Sequence, residues 1–134
     1  MKLLGIVDYM NTCDCCGRTD LKCTVAFDTD DGIVYYGRTC ATRWYGKPTK
    51  AIKDELATIK EVAYQEAYAE WKTAPENIAY RNRLHELSKG PFLPWNERKP
   101  LIEPFYEPYE AKRKEISQRI ASKYMLKESD IRLH

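Results

Sequence analysis

All five cysteines of this 134-residue chain, Cys13, Cys15, Cys16, Cys23 and Cys40, lie in its first third, and residues 41–134 contain none. An odd number of thiols cannot pair completely within one chain. A disulfide scaffold built from these would also leave most of the protein unstapled. Clustered thiols in a reducing compartment more often hold metal. The apolar start of the chain stops at Asp8, short of the roughly 7–15 residues of a signal-peptide core. No stretch reaches the roughly 18 apolar residues of a membrane span. We therefore expect a soluble, cytoplasmic protein without a membrane partner.

The thiols alternate with strand signals. Leu3 to Tyr9 reads as a short strand. Leu21, Cys23, Val25 and Phe27 alternate with polar or small residues, which the period of two places on one strand face. Asp28 to Gly32 reads as a turn and Ile33 to Tyr36 as the returning strand of a hairpin. Cys40 to Tyr45 then reads as one or two helical turns, with Thr39 as N-cap and Gly46 as the stop.

Beyond Pro48 the period changes to that of helices. Ile52, Leu56, Ile59, Ala63, Ala67 and Trp71 recur every three or four residues, so one helix is expected over 49–72. A second is expected over 76–88, with Tyr80, Leu84 and Leu87 on one side. Five prolines between Pro91 and Pro108 predict an extended crossover, because each lacks an N–H and opposes helix. A last helix is expected over 109–126, followed by a loose tail. The fold class is therefore α+β. A β-rich module over 1–47 precedes a helical extension over 48–134 that packs on it as one compact unit.

Cys13-Asp14-Cys15-Cys16-Gly17 contains C-x-x-C-G. Two thiolates three residues apart face one ion when the backbone turns tightly between them, and the glycine permits that turn. Zinc takes four ligands in a tetrahedron with sulfur at about 2.3 Å. Cys40, at a helix start, is placed where the helix dipole and free N–H groups favour a thiolate. A C-x-x-C-G loop, a hairpin and a ligand at a helix start resemble the treble-clef group of zinc fingers. Cys16-Gly17-Arg18, Leu21-Lys22, Thr24-Val25, Tyr36-Gly37 and Cys40-Ala41 together resemble short zinc-finger proteins encoded by bacteriophages. The resemblance covers residues 10–46. It implies a structural zinc ion held by Cys13, Cys16 and Cys40. Treble clefs usually take a second helix ligand three residues on, where this chain has Arg43. The fourth ligand is thus open among Cys23, Cys15, His85, His134 and water. Reduced cysteines without metal, or a redox pair at Cys13 and Cys16, are the competing readings.

Catalysis finds little in the sequence. There is no P-loop, no dinucleotide-binding glycine pattern and no H-E-x-x-H. The hairpin carries no histidine of the kind treble-clef nucleases use. Non-enzymatic binding is the expectation. The phage resemblance implies an accessory factor that acts on a host protein, as a modulator or inhibitor. The partner-binding candidates are Arg18, Arg38, Arg43, Trp44 and Tyr45 around the thiols, and Trp95 in the proline-rich segment. Tyrosine, tryptophan and arginine are enriched at interface centres. Nucleic-acid binding is the alternative, because cations interleaved with aromatic rings can neutralise phosphates and stack bases. Against it, residues 1–47 hold six basic and six acidic side chains, and the net charge of the whole chain is only +2. Oligomeric state has no sequence signal.

Overall fold

The computed structural model describes residues 1–134. At the N-terminus, residues 2–36 form a three-stranded antiparallel sheet in the order β1 (Lys2–Val7), β2 (Thr24–Thr29), β3 (Gly32–Tyr36). The expected hairpin forms, with a tighter turn. Thr29 still pairs with Gly32, so only Asp30 and Asp31 lie outside the ladder. Gly32 takes a positive φ of 113° there, a conformation that L side chains rarely adopt. β1 ends at Val7 rather than Tyr9, and it pairs with β2.

The register of β1 shifts between Leu3, opposite Phe27, and Gly5, opposite Ala26. Neighbouring residues of β2 point to opposite sheet faces. The bulge therefore sends Leu3 and Gly5 to opposite faces although they are two residues apart. Leu3 joins Val25, Phe27, Ala41, Ile52 and Leu56 in one buried cluster. Gly5 faces the C-terminal segment, where an added Cβ would meet the Met125 carbonyl oxygen at 3.3 Å.

Four α-helices follow: α1 (Arg38–Tyr45), α2 (Thr49–Trp71), α3 (Pro75–Lys89) and α4 (Trp95–Lys123). α2 carries the expected stripe, with Ile52, Leu56, Ala63, Ala67 and Trp71 buried. Its first half belongs to the sheet core. Its second half belongs to a separate cluster with Ala74, Ile116, Ile120, Ala121, Ile131 and Leu133.

Two expectations fail. Pro91 to Pro108 is not an extended crossover: only residues 90–94 connect α3 to α4, and Pro100, Pro104 and Pro108 lie inside α4. The three prolines are four residues apart and exposed, so they share one outer face. Each lost donor leaves a carbonyl four residues earlier, at Asn96, Pro100 and Pro104, which are exposed too. Water can satisfy those carbonyls, while Ile102, Ile116 and Ile120 pack on the inner face. The tail is not loose either. Ile131 and Leu133 are 3% and 1% exposed. Trp71 Nε1 donates to the His134 carbonyl at 3.1 Å, and Ser117 Oγ to that of Ile131 at 3.3 Å. The tail also ties the two clusters together, through Lys127–Asp8 at 2.8 Å and Lys60–Asp130 at 3.5 Å. No helix is long and apolar enough to cross a membrane.

Candidate metal centre

The sulfurs of Cys13, Cys16 and Cys40 lie within 4.8 Å of one another. The loop that carries the first two is framed by its own hydrogen bonds. Cys13 N–H donates to the Arg18 carbonyl, and Gly17 N–H to the Cys13 carbonyl, both at 2.9 Å. Gly17 follows the second thiol with φ +75°, the bend that the sequence motif requires. Asn11 closes the loop base: its side chain donates to the Leu21 carbonyl at 2.7 Å and its carbonyl accepts the Leu21 N–H at 3.0 Å.

Asp14 anchors this loop to the sheet. Its N–H donates to the Tyr35 carbonyl and its carboxylate accepts the Tyr35 N–H, both at 2.8 Å. The loop thereby extends the ladder beside β3. Nothing in the composition or periodicity of the sequence singles out Asp14 for this role. Its position between two candidate ligands is the one signal that could have marked it.

Gly37 sits at the junction of β3 and α1. It is the N-cap of α1 in extended geometry, where Thr39 had been expected, and no side chain caps the helix. A Cβ at Gly37 would lie 3.3 Å from Leu21 Cδ1, 3.8 Å from Cys13 Cβ and 4.0 Å from Cys13 Sγ. The glycine lets the backbone close over Cys13 and brings Cys40, in the first turn of α1, to the other two sulfurs.

The thiols differ sharply. Burial works against ionising Cys13, which is 1% exposed. The backbone N–H groups of Cys16, Gly37 and Cys15 point at its sulfur and prevail, bringing the thiol down to about 7. Cys40 is pushed up to about 12, first by desolvation and then by the sulfurs of Cys13, Cys15 and Cys16. Close thiols cannot all carry charge without a cation among them. A divalent ion bound among them would supply that cation.

The donor set fits one. A tetrahedral ion with sulfurs at about 2.3 Å sets them roughly 3.8 Å apart, which the observed grouping allows. Soft sulfur donors of this kind select zinc, copper(I) or iron.

The other sequence candidates sit as follows. Cys23 precedes β2 and is exposed, not buried on its apolar face; Thr24 takes the first buried place in the strand. Cys23 does wall the same cavity of about 250 Å³ as the three clustered thiols. Cys15 is exposed, and its sulfur accepts the Trp44 indole N–H at 3.0 Å. Neither belongs to the close group of three. His134 lies against Trp71 in the helical cluster and His85 lies on α3, so neither joins it.

Arg18, Lys22 and Arg38 line the sulfur cavity. Neither they nor Arg43 form an ion pair. Trp44 is 59% exposed beside them. Tyr45 is different. Its ring packs on Phe27 with centroids 5.0 Å apart and its hydroxyl donates to Glu55 at 3.2 Å, so it serves the sheet core rather than an open surface. Trp95 is 67% exposed at the start of α4. No family model, no curated protein and no solved structure matches this chain.

Proposed function

We propose that the chain is a zinc-stabilised, non-enzymatic binding protein whose N-terminal lobe is a finger of treble-clef type. The observation that carries this reading is the convergence of Cys13, Cys16 and Cys40 within 4.8 Å, at the join of a hairpin and a short helix. Zinc suits four-coordinate sites rich in sulfur and brings no redox chemistry of its own. Its role is structural: it fixes α1 to the sheet where the apolar core is thin. The fourth ligand comes from Cys15 or Cys23, the two thiols nearest the group. In keeping with the resemblance to phage-encoded fingers, the partner is a protein of the host cell, bound through the exposed surface around Trp44 and Arg43. Native mass spectrometry before and after chelation tests both parts. One divalent ion per chain and a co-purified protein support the reading; a metal-free chain overturns it.

One arrangement favours a second reading, nucleic-acid binding. The acidic residues Asp28, Asp30 and Asp31 sit at the hairpin tip, whereas Arg18 and Arg38 lie at its other end. Five strand residues separate those ends by roughly 16 Å, beyond the Debye length of about 8 Å at physiological salt. The tip therefore does little to repel phosphate from the unpaired arginines. Affinity for single-stranded DNA or RNA that falls steeply with salt would support this reading, and salt-tolerant capture of one protein the first.

A further inference from the structure

A second cavity, of about 460 Å³, lies between α3 and the first three turns of α4, away from the thiols. Its size falls in the range of small-ligand sites, roughly 300–1,000 Å³. Tyr80, Trp95 and Tyr106 supply its aromatic walls, and Leu84 and Ile102 its apolar floor. Tyr80 and Tyr106 are already packed on each other, with centroids 5.7 Å apart and planes at 59°. Trp95 has no such neighbour and stands largely exposed at the mouth.

None of the three charged side chains that line this cavity, Arg98, Lys99 and Glu103, forms an ion pair. Arg98 Nε is buried and has no hydrogen-bond partner. A buried guanidinium donor left unmade is unfavourable until an acceptor reaches it. The planar fork of arginine matches a carboxylate with two parallel bonds. Lys99 adds a second cation on the same wall, and the N-terminal field of α4 favours negative charge there.

We propose that this cavity binds a small planar aromatic carboxylate, its ring between Trp95 and the tyrosines and its carboxylate on Arg98. The site is independent of the thiol cluster, so it stands or falls separately from the zinc reading.

The test is a titration of the 134-residue chain as purified with 2-naphthoate, followed by the indole N–H resonances in ¹H–¹⁵N spectra. Three indoles report separately: Trp71 is bonded to the His134 carbonyl, Trp44 to Cys15, and Trp95 lines the cavity. The Trp95 resonance should shift saturably while those of Trp44 and Trp71 stay in place. Arg98→Met should weaken binding at least about tenfold, as loss of a charge-assisted bond requires. The neutral 2-naphthamide should bind the wild-type chain more weakly by a similar factor. An unchanged Trp71 resonance in the variant shows that the fold is kept; Arg98→Lys, which keeps the charge, is the second variant if Arg98→Met does not fold. No saturable Trp95 shift, or equal affinity for acid and amide, would overturn the proposal.

Discussion

The two lobes share α2 but are held by different means. The helical lobe packs nine buried apolar side chains into one cluster, with Trp71 and Leu133 among the most deeply enclosed. Glu66–Lys123 and Glu70–Arg119 clamp α2 to α4 on its outside. The main cluster of the sheet lobe has six, two of them lent by α2, and Val7, Cys13 and Ala26 are buried outside it. The sixteen-residue loop between β1 and β2, 8–23, is drawn at its middle to β3 by Asp14 and meets α1 where the three sulfurs converge. A lobe of this small size is marginal on its own without a crosslink, an ion or a neighbour to pack on. The comparison teaches that one helix can serve two cores, and that the three clustered sulfurs lie in the one with the smaller apolar cluster.

The largest effect is expected from the thiols. Cys13→Ser should weaken metal binding at least about a hundredfold, read by competition with a chromophoric chelator. It should loosen the sheet lobe and leave the helical lobe folded by circular dichroism. Trp71→Ala breaks the comparison from the other side. It removes a fully buried ring and the bond to His134, and should cost about 3–5 kcal/mol in denaturant unfolding. Metal uptake at the sulfurs, followed with cobalt(II), should survive that substitution. If it does not, the lobes form one cooperative unit.

Acidity sharpens the contrast further. Metal needs thiolates, so lowering the pH weakens binding. Cys40, pushed up to about 12, must release its proton on binding at any pH from 8 to 6. Cys13, brought down to about 7, is already ionised above that value and protonated below it. Metal affinity should therefore fall more steeply below about pH 7, by a further factor of about ten per unit from Cys13 alone. A plot with constant slope from 8 to 6 would contradict the depressed thiol. The smallest effect is expected at Gly37. Gly37→Val places methyl groups against Leu21 and Cys13 and should cost about 1–3 kcal/mol, with metal affinity reduced in parallel.

Much of this was legible in the residues. The stripe from Ile52 to Trp71 and the C-x-x-C-G loop are local patterns, and local patterns fix helices and tight turns. What could not be read depended on partners distant in sequence. Prolines 100, 104 and 108 are tolerated in α4 because they share an exposed face, which becomes visible only once α3 packs on the other side. Ile131 and Leu133 are two apolar residues in a charged tail, and only the groove between α2 and α4 gives them a place. Cys23 looked like a strand residue because it keeps the alternation. Its strand begins one residue later, since Leu21 is bound to Asn11 instead. Tyr45 lies next to exposed Trp44 in sequence, and the turn of α1 sends it inward to Phe27.

Hydrogen exchange on the full chain, with and without a strong chelator, tests the division of labour directly. Chelation should strip protection from β2, β3 and α1 while Ala67 to Trp71 and Ile116 to Ala121 keep theirs. Equal protection of the sheet lobe in both conditions would mean that no ion holds it.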